Sequence, residues 1–383
     1  MRVSILTQPL GHNYGGLLQA YALQVYLASI GCEVEILDRR APHNIASEVK
    51  KNLINLLRLM SGRIRSMPTK RKREFVFSNL VDFRDRYLSL SKTITSERDI
   101  RRYYQSQDFD VLIVGSDQVW RPRYSPSILN YYLDFLDDVG SNALRISYAA
   151  SFGVDKWEYN AAATTACQRL LSKFDAVSVR EESGVSLCSD FLGFPGARCV
   201  VDPTLLLEKE DYSSLIESRP KSNEYAGVLV YMLNVSDAKR RLADQVANSL
   251  GVDSFSIKPD KKIDKVKPKN LVDCQYPAVE DWLQSFRDAS FVVTDSFHGC
   301  VFAIIFNKPF VALDNPIRGT SRISSLLRTF RLEKRLVASS GLSVLELLSD
   351  PIDWKHVNSV CERKSEEGKL FLRNSIGKRD SHG

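Results

Sequence analysis

The strongest constraint on the fold is the alternation of short apolar strands with amphipathic helices. Residues 3–6 form an apolar run typical of a buried strand, residues 15–30 are apolar along one helical face, and residues 34–37 form the next strand. A strand, a loop, a helix and a second strand in this order predict a right-handed crossover between parallel strands. The predicted fold class is therefore α/β.

The same alternation continues through two units, and 383 residues suit two domains of roughly 150 to 200 residues each. Further strands are predicted at residues 111–114, 145–149, 176–179, 199–201, 225–233, 254–257, 291–293 and 309–313. We predict two Rossmann-like domains, at residues 1–205 and 225–330, and a helical C-terminal tail at residues 331–383. The charged, serine-containing stretch 206–224 is the predicted linker.

Composition excludes several classes of protein. A hydrophobic content of 44% with 26% charged residues excludes wholesale disorder. No apolar run approaches the ~20 residues that span a bilayer, and the chain opens in a strand rather than in a signal peptide. The seven cysteines are scattered without a C-x-x-C pair, so neither a disulfide framework nor a metal site is expected. These features predict a cytoplasmic protein.

The net charge of +7 is unevenly distributed, because the segment 50–73 holds nine Lys or Arg residues and no acid. Apolar residues within this basic insertion, including Leu53, Leu57 and Met60, give it an amphipathic character. The pattern is typical of a helix on an anionic membrane surface, and equally of a solvated surface helix with a flexible loop. Nucleic acid is not expected as a partner, because interleaved aromatics and helix-turn-helix spacing are lacking.

A histidine lies where a predicted strand meets a predicted helix. His298 follows the strand 291–293 and precedes the apolar helical run 301–306. In open α/β sheets ligands bind beyond the carboxyl ends of the strands, and a helix N-terminus attracts anions. His298 is therefore a candidate ligand for a phosphate or carboxylate, the alternative being a core histidine bonded to backbone.

Other polar residues follow predicted strands and would face the same cleft. Asp117 could act as a base or bind sugar hydroxyls, or it could cap a helix. Trp120 could stack on a sugar ring or fill the core. Arg180 could bind a carboxylate or phosphate, or pair with a neighbouring acid. The Asp-Pro turn at Asp202 is as consistent with structure as with function.

Five segments, in this order and spacing, resemble the polysaccharide pyruvyl transferase family. They are NYGGLLQAYAL (13–23), GSDQVW (115–120), SVRE (178–181), VDPTLL (201–206) and DSFHG (295–299). The resemblance extends from the first strand to about residue 313. It implies a glycosyltransferase-B-like (GT-B-like) pair of Rossmann-type domains, phosphoenolpyruvate as co-substrate without a further cofactor or metal, and a sugar acceptor.

The resemblance, together with the chemistry of ketal formation, assigns roles to residues. The reaction requires cations for the donor, an acid near C3 and a base near the acceptor hydroxyl. We expect His298 to be the acid and Asp117 the base. The expected donor-binding residues are Arg180, His298, Phe297, Ser296 and Gly299. The expected acceptor-binding residues are Asn13, Tyr14, Gly15, Gln118 and Trp120.

One departure from the family pattern concerns the donor. Several members carry Arg-Leu-His-Gly where this chain has Ser-Phe-His-Gly at 296–299, so one donor-binding cation is missing at Ser296. The expected acceptor is a sugar of a surface-polysaccharide precursor, either free or linked to a lipid diphosphate at the inner face of the plasma membrane. The alternatives are a nucleotide-sugar glycosyltransferase of the same fold and a non-catalytic carbohydrate-binding protein.

Overall fold

The computed structural model describes residues 1–42, 44–219, 225–259, 261–315, 319–337 and 344–377. The first domain contains the strands β1 (Arg2–Leu6), β2 (Glu33–Ile36), β3 (Val111–Val114), β4 (Leu144–Ala150), β5 (Ala176–Val179) and β6 (Arg198–Cys199). Its helices are α1 (Tyr14–Ser29), α2 (Ile45–Met60), α3 (Lys70–Val76), α4 (Ser78–Tyr87), α5 (Glu97–Gln105), α6 (Phe135–Val139), α7 (Ala161–Leu171) and α8 (Glu182–Leu192). The six strands form a parallel sheet in the order β2-β1-β3-β4-β5-β6.

The second domain contains the strands β7 (Val228–Tyr231), β8 (Ser254–Phe255), β9 (Phe291–Thr294), β10 (Phe310–Leu313) and β11 (Leu336–Val337). The remaining helices are α9 (Lys209–Glu217), α10 (Asp237–Leu250), α11 (Val279–Asp288), α12 (Phe297–Ile305), α13 (Ser321–Thr329), α14 (Val344–Ser349) and α15 (Trp354–Ile376). These five strands are also parallel, in the order β11-β10-β9-β7-β8. The α/β fold with two parallel sheets agrees with the sequence prediction.

The first sheet is covered on both faces, as continuous apolar strands require. Alternate residues of β3 enter two separate cores, with Val111 and Ile113 in one and Leu112 and Val114 in the other. Because β3 is apolar on both faces, its sequence requires that both sides of the sheet be covered.

Two segments differ from the sequence prediction. The predicted linker contains helix α9, which packs against α11 of the second domain, and residues 220–224 lie outside the described residues. The predicted helical tail contains β11, which extends the second sheet beside β10. The helix α15 then returns to the first domain, where Tyr26 Oη donates to the carbonyl of Lys369 at 3.1 Å.

One of the hydrophobic cores is shared by the two domains. Tyr14 of α1 stacks on Trp282 of α11, with ring centroids 5.3 Å apart, and its hydroxyl donates to the carbonyl of Pro277 at 2.9 Å. The same cluster of buried side chains includes Ile5 of β1 and Leu229 of β7. This packing brings the carboxyl ends of both sheets to one cleft. No helix in the described part of the chain has the length and apolar character to cross a membrane.

Candidate active site between the two domains

The first turn of α12 places His298 at the cleft. The Ser296 side chain caps this helix by accepting a hydrogen bond from the backbone N–H of Gly299 at 3.3 Å. His298 is 7% exposed, and its ring lies directly against Gly15 of the other domain. A Cβ at Gly15 would overlap the imidazole, so the missing side chain is what lets His298 reach this position.

A buried ion cluster lies beside His298. Arg180 donates from one guanidinium nitrogen to Oδ2 of Asp202 at 2.6 Å and from another to Oδ1 of Asp117 at 3.2 Å. Its guanidinium lies 4.3 Å from the ring centroid of Phe297, and its side chain is 1% exposed. Nε2 of His298 lies 3.6 Å from Oδ2 of Asp202, so the cluster bridges both domains.

The two carboxylates of this cluster are stabilised in their charged form. Burial alone would raise the pKa of Asp202, but His298 and Arg180 outweigh it and hold that pKa well below its ordinary value. The pKa of Asp117 is also lowered, because Arg180, His298 and Arg322 outweigh the effect of burial. Both groups are therefore carboxylates at neutral pH.

Arg322 of α13 is a second buried arginine at the cleft. It is 7% exposed and lines the cavity together with Asn13, Gln118 and His298. Its guanidinium lies 5.9 Å from the ring centroid of Phe297. Burial, reinforced by the charge of Arg180, lowers the pKa of Arg322 to about 10. An anion bound beside Arg322 would favour its charged form and so raise its pKa.

The pKa of Arg180 is shifted in the opposite direction to that of Arg322. Burial alone would lower its pKa, but Asp202, Asp117 and Glu181 raise it. Carboxylates of the chain outweigh burial at Arg180, whereas at Arg322 the effects of burial and of the Arg180 charge exceed the opposing effects of Asp117 and Glu181.

Only some of the expected site residues line the cavity beside His298. Those that line the cavity are Asn13, Asp117, Gln118, Ser296, Phe297 and His298. Gly15 and Gly299 do not line the cavity but adjoin residues that do. A Cβ at Gly299 would overlap the side chain of Thr294. Arg180 lines a second small cavity with Asp202 and Phe297.

Trp120 and Tyr14 lie away from the cavity. Trp120 is fully buried, stacks on Tyr132 with centroids 5.1 Å apart, and donates from Nε1 to the carbonyl of Tyr131 at 2.8 Å. In this structure its ring therefore fills the core, which was the alternative to stacking on a sugar. Tyr14 is 1% exposed and joins the domains through Trp282.

Asp117 does not cap a helix. Its side chain pairs with Arg180, and the chain after it forms a turn in which Val119 N–H donates to the Asp117 carbonyl. These contacts do not match the helix-capping interpretation, and a role as a base or in binding sugar hydroxyls stays a prediction.

Two residues at the site were missed by the expected assignments. Asp202 accepts from the backbone N–H and the hydroxyl of Thr204, at 3.1 and 2.7 Å, and so orients its other oxygen toward Arg180 and His298. In the sequence, only the position of Asp202 directly after a predicted strand indicated that it could lie at the site. Arg322 lies on a helix. The sequence indicated only that Arg322, four residues before the apolar Leu326, would share the buried face of that helix.

No group of three His, Cys, Asp or Glu side chains among the described residues is arranged to hold a metal ion. The cluster instead combines carboxylates with arginine and histidine, the groups used to bind anions and transfer protons.

Two parallel α/β domains that enclose a charged cleft at the carboxyl ends of their sheets define a GT-B-type fold. Arabidopsis thaliana UGT89C1 complexed with UDP has a TM-score of 0.52 at 10% identity, covering 99% of this chain and 100% of that one. LpCGTa in complex with UDP has a TM-score of 0.51 at 12% identity, covering 98% and 99%. These similarities concern the fold.

The family model described as polysaccharide pyruvyl transferase matches residues 13–316. The chain belongs to the polysaccharide pyruvyl transferase family, as its five segments indicated. A search of curated proteins finds no matching sequence.

Proposed function

We propose that the protein transfers a pyruvyl group from phosphoenolpyruvate to two hydroxyls of a sugar, forming a pyruvate ketal on a surface-polysaccharide precursor. Family membership supports a transferase that acts on polysaccharide. The observation that carries the finer proposal is the meeting of Arg322, His298 and the N-terminus of α12 at one cavity. Phosphoenolpyruvate offers a phosphate and a carboxylate, and both groups favour such surroundings.

The reaction balances without a redox partner or further co-substrate. A proton is added to C3 of the enolpyruvyl group, and the first sugar hydroxyl forms a bond to C2 and loses its proton. The second hydroxyl then displaces phosphate from C2 and also loses its proton. The products are inorganic phosphate and a ketal, which equals the sugar plus pyruvic acid minus water.

In this proposal His298 supplies the proton to C3. Asp202 lies 3.6 Å from Nε2 of the ring and is ionised, so it is placed to orient His298. The packing of the ring on Gly15 fixes it further. A positioned acid of this kind typically contributes about 10²- to 10⁴-fold to the rate.

Asp117 is proposed as the base for the acceptor hydroxyl. Its lowered pKa keeps it ionised at neutral pH, so it is able to accept a proton. Arg180, which binds both Asp117 and Asp202, holds the two carboxylates in place. These two hydrogen bonds leave further N–H groups of the guanidinium unused, including the buried Nε.

Arg322 is proposed as the cation that replaces the arginine missing at Ser296. It reaches the cavity from α13 and lies 5.9 Å from the ring centroid of Phe297. A bidentate guanidinium suits a carboxylate or phosphate in geometry as well as in charge. Asn13 and Gln118, on the first-domain wall of the cavity, are the proposed contacts of the acceptor.

A nucleotide-sugar glycosyltransferase is the second candidate. It is favoured by the two similar folds, both of which are described as complexes with UDP. In that case His298 and the N-terminus of α12 would hold a diphosphate.

Ligand-induced stabilisation distinguishes the two candidates. A ligand at 100 times its dissociation constant stabilises a protein by about 2.7 kcal/mol, which a thermal shift readily detects. We expect a shift with phosphoenolpyruvate and none with UDP-sugars, followed by mass spectrometric detection of a ketal on a candidate sugar. A shift with UDP-sugars alone would replace the proposal with the second candidate, and a shift with sugars alone would indicate a binding protein.

A further inference from the structure

Helix α2 carries an apolar face that is turned to solvent. Five large apolar residues recur on this helix at the spacing i, i+4, i+7, i+8 and i+11, which places them on one side. They are Val49, Leu53, Leu56, Leu57 and Met60, whose surfaces are 60%, 58%, 46%, 59% and 79% exposed. In a globular protein such a face normally packs on the core, so a contiguous exposed face indicates a binding surface.

Contacts at the C-terminal end of α2 and directly after it hold the helix with this face outward. Arg58 pairs with Asp264 of the second domain at 3.6 Å, and the backbone N–H of Arg65 donates to the Asp264 carbonyl at 2.7 Å. The hydroxyl of Ser66 donates to the carbonyl of Ile263 at 2.9 Å. The end of the helix is therefore anchored to the segment 263–264.

This anchoring joins two basic segments that are far apart in sequence. The insertion 50–73 has nine Lys or Arg residues and no acid. The segment 261–269 has five exposed lysines and a single acid, Asp264. Lys265 Nζ donates to the carbonyl of Arg63 at 2.9 Å, so both segments belong to one basic surface.

We propose that this surface, formed by the outer face of α2, the rest of the insertion and the segment 261–269, binds an anionic lipid bilayer. The apolar face enters the boundary between headgroups and acyl chains, and the lysines and arginines contact lipid phosphates. A second copy of the chain fits less well, because a symmetric contact would press two strongly basic surfaces together. Nucleic acid offers no burial for five exposed apolar side chains.

The surface lies beside the cleft. Phe77, directly after α3, packs against His12 with ring centroids 4.7 Å apart and stacks on Tyr276 at 4.9 Å. His12 precedes Asn13, which lines the cavity. A bilayer bound at this surface would therefore lie close to the acceptor side of the cleft, a consequence that rests on the proposed function, whereas the binding itself does not.

The test is co-sedimentation of the full chain with vesicles. One set contains equal parts of phosphatidylglycerol and phosphatidylcholine, and the other contains phosphatidylcholine alone. We expect sedimentation with the anionic vesicles at low salt, little with the neutral ones, and release at high salt, because exposed charges are screened beyond about 8 Å at physiological ionic strength.

Paired variants separate the apolar and the ionic contributions. The apolar variant combines Leu53→Gln with Leu57→Gln, and its control combines Leu250→Gln with Leu370→Gln, two exposed leucines elsewhere. The ionic variant changes Arg63, Arg71 and Arg73 to Gln, and its control changes the exposed Arg102, Arg198 and Arg328 to Gln. We expect at least a tenfold loss of vesicle binding in each variant and none in the controls.

Failure of the wild type to sediment with anionic vesicles would overturn the proposal. So would an apolar variant that binds like the wild type, or a concentration-dependent dimer that the same two leucine substitutions dissolve. Each of these outcomes is independent of the response to phosphoenolpyruvate, so the membrane proposal and the proposed function fail separately.

Discussion

Two arginines near Phe297 illustrate how the same residue type is used in two ways. Arg180 is surrounded by Asp117, Asp202 and Glu181, which favour its charge, whereas burial and the charge of Arg180 disfavour that of Arg322. Removing one partner of a buried ion pair typically costs 3 to 5 kcal/mol, about the size expected for Arg180→Ala. Arg180 is therefore a poor position for a test of binding alone, and Arg322 is the better one.

We predict that Arg322→Met strongly reduces the phosphoenolpyruvate-induced thermal shift. A charge-assisted contact contributes about 1.5 to 3 kcal/mol, so affinity should fall roughly tenfold to hundredfold. The melting temperature of the ligand-free variant is measured alongside, as a check that it is folded. Arg328→Met, at an exposed position on the same helix, is the control and should bind like the wild type. Unchanged affinity in Arg322→Met would remove this residue from the donor site.

The lowered pKa of Asp202 predicts a pH-dependent loss of stability in Asp202→Asn. Because the folded protein lowers this pKa, the carboxylate contributes stability above its unfolded value of about 3.9, and the contribution disappears as pH falls through the lower folded value. Denaturant titrations of both proteins should show the variant less stable at neutral pH, with a gap that narrows below about pH 4. A gap that stays constant with pH would mean that the charge of Asp202 is not its source.

At the scale of elements, the contact between α1 and α12 determines where His298 lies. We predict that Gly15→Ala displaces the imidazole and reduces turnover at least tenfold, because the new Cβ would overlap the ring. Gly16→Ala is a matched control, since its Cβ would meet only the side chain of Asn13 at an ordinary 3.6 Å. Alanine is also the better helix former, so this control should be at least as stable as the wild type.

Measuring donor affinity and turnover in both variants completes the comparison. Equal losses in Gly15→Ala and Gly16→Ala would point to a general effect on α1 and not to the position of His298. A fully active Gly15→Ala would show that the ring has room to shift without consequence.

The sequence predicted those elements whose burial pattern is local. The strands at 111–114 and 176–179 were predicted to the residue, because each is a short run of buried residues between polar segments. The strand β11 was not predicted, since two residues carry no pattern and only pairing with β10 makes them a strand. Helix α9 was read as a linker because its charged and serine residues obscure a narrow buried face, Tyr212, Leu215 and Ile216.

The sequence predicted the site residues that follow strands and did not predict the one that lies within a helix. His298, Asp117 and Arg180 were found because strand ends meet at one edge of a sheet. Arg322 comes from a helix, so only the packing of the two domains brings it to the cavity. Trp120 follows a strand too, but the sequence could not decide which way its ring turns.

At the scale of the whole molecule, the shared core predicts that the two domains unfold together. Stacking of Tyr14 on Trp282 and the buried ion cluster both cross the domain boundary. We predict one calorimetric transition whose van't Hoff and calorimetric enthalpies agree. Tyr14→Ala, which removes both the stacking and the hydrogen bond to Pro277, should lower its temperature. Two separated transitions in the wild type would show that each domain is stable alone.

The return of α15 to the first domain has a consequence for the order of synthesis. Gly368 of this helix lies against the hydroxyl of Tyr148 on β4, so close that a Cβ would not fit. The ribosome synthesises the chain from its N-terminus. The first domain therefore lacks its contacts with α15 until the second domain has been synthesised. During translation the first domain therefore exposes an uncovered apolar surface, and its completion coincides with closure of the whole molecule.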